Sequence, residues 1–269
     1  MKAVAFVSCL SFILFFSFAD VCASDSLHFV RRLPLKARYF TTDPLDQIYL
    51  VLGRNTLMKC NDEGDSLFTY NEIHTGALRI VDAGNPLRIV LYYPDENKVT
   101  FLNTQLSSLA EINLNDMGFL QVNCVANSYD GGLWVYQQAA GLLVKLDAHY
   151  QEQQRISLYE TGENPAWPCT MTERDRFLYF SDTVSGIRKF DLYGYPITVY
   201  PYKTHSFQLI SNILLYVSKD TLHAYQPERF SEKTLALPDA ASILEVRMGR
   251  KYIYILRKES LDIYTIVHS

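Results

Sequence analysis

Beyond its first two dozen residues the chain has no apolar run approaching the ~18 consecutive residues that a membrane helix needs. It lacks a charge excess: 25 Lys and Arg stand against 29 Asp and Glu, a formal net charge of −4, with neither a basic stripe nor an acidic tail. That balance argues against nucleic acid and anionic membrane surfaces as partners. Cysteine is scarce, and two of the five, Cys9 and Cys22, fall in the N-terminal apolar segment. Cys60, Cys124 and Cys169 are too few for a disulfide framework, which a chain of this length does not need to bury a core. Also missing are G-x-S-x-G, a phosphate-binding Walker loop, H-E-x-x-H and, after the N-terminal segment, C-x-x-C.

What is there begins with MKAVAFVSCLSFILFFSFADVCAS: Lys2, an apolar run from Ala3 to Phe18, and small residues at Ala23 and Ser24. This is the pattern of a signal peptide over residues 1–24, cleaved after Ala23 or Ser24. A lipid anchor on Cys22 would need a small residue before it, where Val21 stands. The expectation is a periplasmic or secreted protein, a single domain over 25–269, without a transmembrane span.

That domain is built of repeats. Ile48-Tyr49, Leu91-Tyr92, Leu133-Trp134, Leu178-Tyr179, Leu215-Tyr216 and Ile253-Tyr254 each sit in a strand-like run followed by a turn, their aromatics 43, 42, 45, 37 and 38 residues apart. About forty residues per unit fits four-stranded propeller blades. The first unit reads as strands Ala37 to Asp43, Asp46 to Gly53, Thr56 to Cys60 and Asp65 to Asn71, separated by DP, GRN and NDEGD turns. The third reads as Gly118 to Ala126, Gly132 to Tyr136, Gly141 to Asp147 and Gln153 to Leu158; the fifth spans Ser206 to Leu237 on the same plan. The last unit is one strand short, and SLHFVRRL, Ser26 to Leu33, is a strand left over at the other end. Pairing the two closes the ring and protects sheet edges. The fold expected is all-β: a six-bladed propeller of four-stranded antiparallel blades, with the N-terminal strand joining the last blade.

Within that frame most chemistry-bearing residues have a structural explanation. Trp134 occupies a repeated aromatic position and reads as packing between blades. Cys124 and Cys169, 45 residues apart like Trp134 and Tyr179, fall at equivalent places on adjacent inner strands. Both a disulfide or soft-metal pair and two small buried thiols fit that placement, the second better. Asp43, Asp46, Asp82, Asp130, Asp182 and Asp220 lie near strand starts. They read either as liners of one end of the ring, able to hold a hard cation, or as turn residues bonded to their own backbone. NP dipeptides at Asn85-Pro86 and Asn164-Pro165 read as turn starts. The histidines, His28, His74, His149, His205, His223 and His268, are scattered singly. Trp167, held between prolines in GENPAWPC, is the residue expected to contact a partner.

YFTTDPLDQIYLV, NPLRIVLYYPDENKVTFLNTQLS, SYDGGLWVYQQ and GIRKFDLYG resemble corresponding stretches of an exported, propeller-like family of unknown function in Bacteroidota. The resemblance implies a Gram-negative envelope location and transfers no catalytic residue. DGGLWVYQQAAGLLVKLD is also similar to one repeat of the regulator propellers that form periplasmic sensor domains, and NSYDGGLW to an Asp-box. The expected function is therefore non-catalytic. The chain is expected to bind or scaffold an envelope protein or polysaccharide, as a monomer or a subunit of an envelope complex, with no cofactor. The rivals are a lactonase-like hydrolase with a channel-bound divalent metal and a periplasmic ligand sensor.

Overall fold

The computed structural model describes residues 25–72, 76–160 and 170–267. In it the chain is a ring of six four-stranded antiparallel sheets. Strand β1 (Ser26–Pro34) comes first in the sequence and last in the ring. Blade one is β2 to β5 (Ala37–Thr42, Ile48–Leu52, Thr56–Cys60, Ser66–Asn71), and blade two is β6 to β9 (Ile80–Asp82, Ile89–Tyr93, Lys98–Leu102, Ser108–Asn113). Blade three is β10 to β13 (Cys124–Asn127, Leu133–Gln137, Leu142–Leu146, Glu152–Ser157), and blade four is β14 to β17 (Thr170–Arg174, Phe177–Asp182, Gly186–Asp191, Pro196–Tyr200). Blade five is β18 to β21 (Phe207–Ile210, Ile213–Ser218, Thr221–Gln226, Ser231–Ala236). Blade six is β22 to β24 (Ile243–Met248, Ile253–Arg257, Ser260–Val267), completed by β1, which pairs antiparallel with β24 from Ser26↔Val267 to Pro34↔Ser260. The expected closure by the N-terminal strand is what the ring shows.

Each blade buries both faces, so its second strand reads as a continuous apolar run, as in IVLYY of β7 and LWVYQ of β11. Six apolar clusters fill the six gaps between blades. Tyr49, Tyr92, Trp134, Tyr179 and Tyr254 all point toward the following blade. Tyr216 does not: it stacks at 4.1 Å on Tyr202 of the preceding linker, while Val217 packs toward blade six. The cause is strand alternation, since one residue's difference in spacing turns a side chain to the other face of the sheet.

Two strand starts move inward from the sequence reading by two residues or more, for local reasons. The first strand of blade three begins at Cys124, because Gly118 has a φ of 80° and closes a turn in which its N–H reaches the Asn115 carbonyl at 2.9 Å. The second strand of blade one begins at Ile48, because Asp46 has a φ of 62° and completes a turn. Between third and fourth strands, four blades use one device. Asn61, Asn103, Asp147 and Asp191 each accept two backbone N–H groups on Oδ1, at 2.8–3.1 Å, and the residue three positions on has positive φ. Each pairing shifts register by one residue just before that turn, a bulge repeated at the same place. In blade two the turn is also tied to blade one, where the buried Lys59 donates Nζ–H to the Thr104 carbonyl at 2.9 Å. Asn103→Ala returns both exposed amides to water and is expected to cost about 0.5–1.5 kcal/mol, read as a lower denaturant midpoint at unchanged m-value.

Candidate binding face

In antiparallel blades the turn joining first and second strands and the turn joining third and fourth lie at one end of the ring. The second-to-third turns and the blade linkers lie at the other. First strands are innermost, so the first kind, the inner turns, ring the mouth of the channel. In blade one, Asp43 Oδ1 accepts the N–H groups of Leu45 and Gln47 at 2.8 and 2.9 Å, and its Oδ2 accepts the Tyr49 hydroxyl at 2.9 Å. Burial, with the Asp43 charge and hydrogen bond, pushes the Tyr49 hydroxyl well above the ordinary tyrosine range. In blade two, Asn85 Oδ1 accepts the Leu87 N–H at 3.0 Å. Both turns carry proline second, which fixes φ. The sequences Asp43-Pro44-Leu45 and Asn85-Pro86-Leu87 thus hold a leucine rigidly in water, 62% and 72% exposed.

Blade three repeats the presentation with Tyr129, 69% exposed, in a turn closed by Ser128 N–H to the Gly132 carbonyl and Gly131 N–H to the Ser128 carbonyl, both at 3.1 Å. Asp130 and Lys145 form an ion pair at 2.5 Å below it, and the Lys145 ammonium lies 5.3 Å from the Tyr129 ring centroid. Burial alone would raise the Asp130 carboxyl, but hydrogen bonds from Lys145, Gly132 and Ser128 hold it below the usual range.

Hydrogen bonds between blades fix the order of these turns around the mouth. Asp46 accepts the Arg250 N–H from blade six at 2.9 Å, and Asp82 accepts the Asn127 N–H from blade three at 2.7 Å. The Arg88 guanidinium, 4.0 Å from the Phe101 ring centroid, donates to Asn127 Oδ1 at 2.8 Å. Glu173 of blade four accepts Ser128 Oγ–H at 2.7 Å and Trp134 Nε1–H at 2.5 Å. The result is an arc of Leu45, Leu87 and Tyr129. Exposed Arg250 and Lys251 stand at one end, and exposed Arg174 and Arg176 at the other.

The six aspartates do not share one end. Asp43, Asp46, Asp82 and Asp130 lie on inner turns, whereas Asp182 and Asp220 lie on second-to-third turns at the opposite end. Most are occupied locally: Asp82 by Gly84 and Asn127, and Asp182 by Val184 and Ser185. Among the described residues no group of three or more His, Cys, Asp or Glu is placed to hold a metal ion. Trp134 is fully buried in the gap between blades three and four. Cys124 is buried in the same gap; Cys169, which the spacing places at the equivalent position of the next blade, lies outside the described residues together with Trp167, His74 and His268. His28 and His149 are exposed, the His205 carbonyl accepts from Thr170 and Ser181, and His223 stacks on Tyr216 at 4.6 Å. Leu45, Leu87 and Tyr129 are the residues the sequence reading passed over. The signal was available in the twice-repeated Asp/Asn-Pro-Leu at equivalent turns.

No family model matches the chain, and no curated protein matches it. Solved structures do. A streptogramin B lyase superposes with a TM-score of 0.60 at 12% identity, covering 90% of this chain and 97% of that one. Virginiamycin B lyase from Staphylococcus aureus gives 0.60 at 10% identity, covering 91% and 100%. The Pan2 WD40 domain of Neurospora crassa gives 0.58 at 8%, covering 90% and 96%. At these identities the likeness is one of fold, and propellers carry many unrelated functions.

Proposed function

We propose that this chain is an exported, non-catalytic propeller that binds a partner through the face formed by its inner turns. The observation that carries the reading is the pair of Asx-Pro-Leu turns, which spend a proline and two or more hydrogen bonds on holding an apolar side chain out of the core. Rigid, exposed apolar groups lose little entropy on docking and serve as anchors, and clustered exposed apolar residues mark interaction sites. Export is supported by the N-terminal Lys2, the apolar run and the small residues at Ala23 and Ser24. Among the described residues no helix is long and apolar enough to cross a membrane. The resemblance to exported propellers of Bacteroidota supports the envelope as the place of action.

Leu45→Asp with Leu87→Asp is the test. Both side chains are exposed, so stability should stay within about 0.5 kcal/mol of the parent. Pull-down from envelope extract should recover a partner with the parent chain and lose it with the double variant. Equal recovery by both chains would show that this face is not the binding site.

A further inference from the structure

We draw no further inference here: the strongest candidate, the exposed apolar edge of blade four formed by Tyr193 and Tyr195 of its third-to-fourth turn with Ile197 and Val199 of β17, carries nothing, because nothing in the structure shows what covers it.

Discussion

Asp262→Ala should cost about 3–5 kcal/mol of folding stability, the usual result of removing one partner from a buried ion pair. Asp262 is fully buried on the third strand of blade six. Its Oδ1 accepts Arg32 Nε–H at 2.7 Å and Ser260 Oγ–H at 3.1 Å; its Oδ2 accepts Arg257 Nε–H and an Arg32 Nη2–H, both at 2.8 Å. Arg257, itself buried, donates onward to the carbonyls of Asp239 and Pro238 at 2.9 and 2.7 Å, and to Ser242 Oγ. One carboxylate therefore ties together the N-terminal strand, two strands of blade six and the linker arriving from blade five. The alanine variant leaves the Arg257 charge buried and unanswered at the point where the ring closes.

The same carboxylate sets an acid limit on that contribution. Burial by itself would raise the Asp262 carboxyl, but the hydrogen bonds from Arg32, Arg257 and Ser260 outweigh it and hold the group below the ordinary carboxylate range. A folded-state value below the unfolded one, about 4, means that the stabilisation is complete above that pH and is lost as pH falls through the folded value. Urea midpoints of parent and Asp262→Ala should thus differ by a constant amount near neutrality and converge only below about pH 4. Curves that converge between pH 5 and 7 would show that another group governs the clasp.

How much of this was readable in the sequence depends on whether the signal is periodic. Blade number, strand order and closure follow from alternation and spacing, because every blade must bury both faces and leave turns at both ends. Ser26 to Leu33 was assignable to the last blade for the same reason: a blade one strand short leaves an open edge. The face turned by each aromatic was less readable. Tyr216 looks like the other anchors, but its strand is offset by a single residue, and side-chain direction has a period of two. Nor could the ends occupied by the six aspartates be read from their number. Asp82 and Asp182 each follow a strand, yet one ends a first strand and the other a second, which puts them at opposite ends of the ring. The proposed binding face was hidden differently: DPL and NPL read correctly as turns, and the leucine's exposure depends on the turn lying on an inner strand.

Trp134→Ala is expected to match the Asp262 variant in cost, about 3–5 kcal/mol, through the cavity left by a fully buried indole. The indole packs with Met171, Leu178 and Phe180 in the gap toward blade four. Its Nε1–H donates to Glu173 Oε2 at 2.5 Å, so the loss has a packing part and a hydrogen-bond part. Trp134→Phe separates them. It keeps most of the apolar ring and removes the donor to a charged acceptor, and should cost about 1.5–3 kcal/mol. Chemical unfolding read by circular dichroism measures both, and an alanine variant within about 1 kcal/mol of the parent would show that the repeated aromatic is not what joins the blades. The two variants should also differ from an ordinary core change in function. Glu173 accepts the Ser128 hydroxyl at 2.7 Å beside Trp134, and Ser128 opens the turn that presents Tyr129. With the indole N–H removed, that carboxylate keeps the Ser128 hydroxyl and loses one of the two donors on its Oε2. Trp134→Phe, still folded, is therefore expected to weaken partner capture through Tyr129 while leaving the Leu45 and Leu87 turns intact.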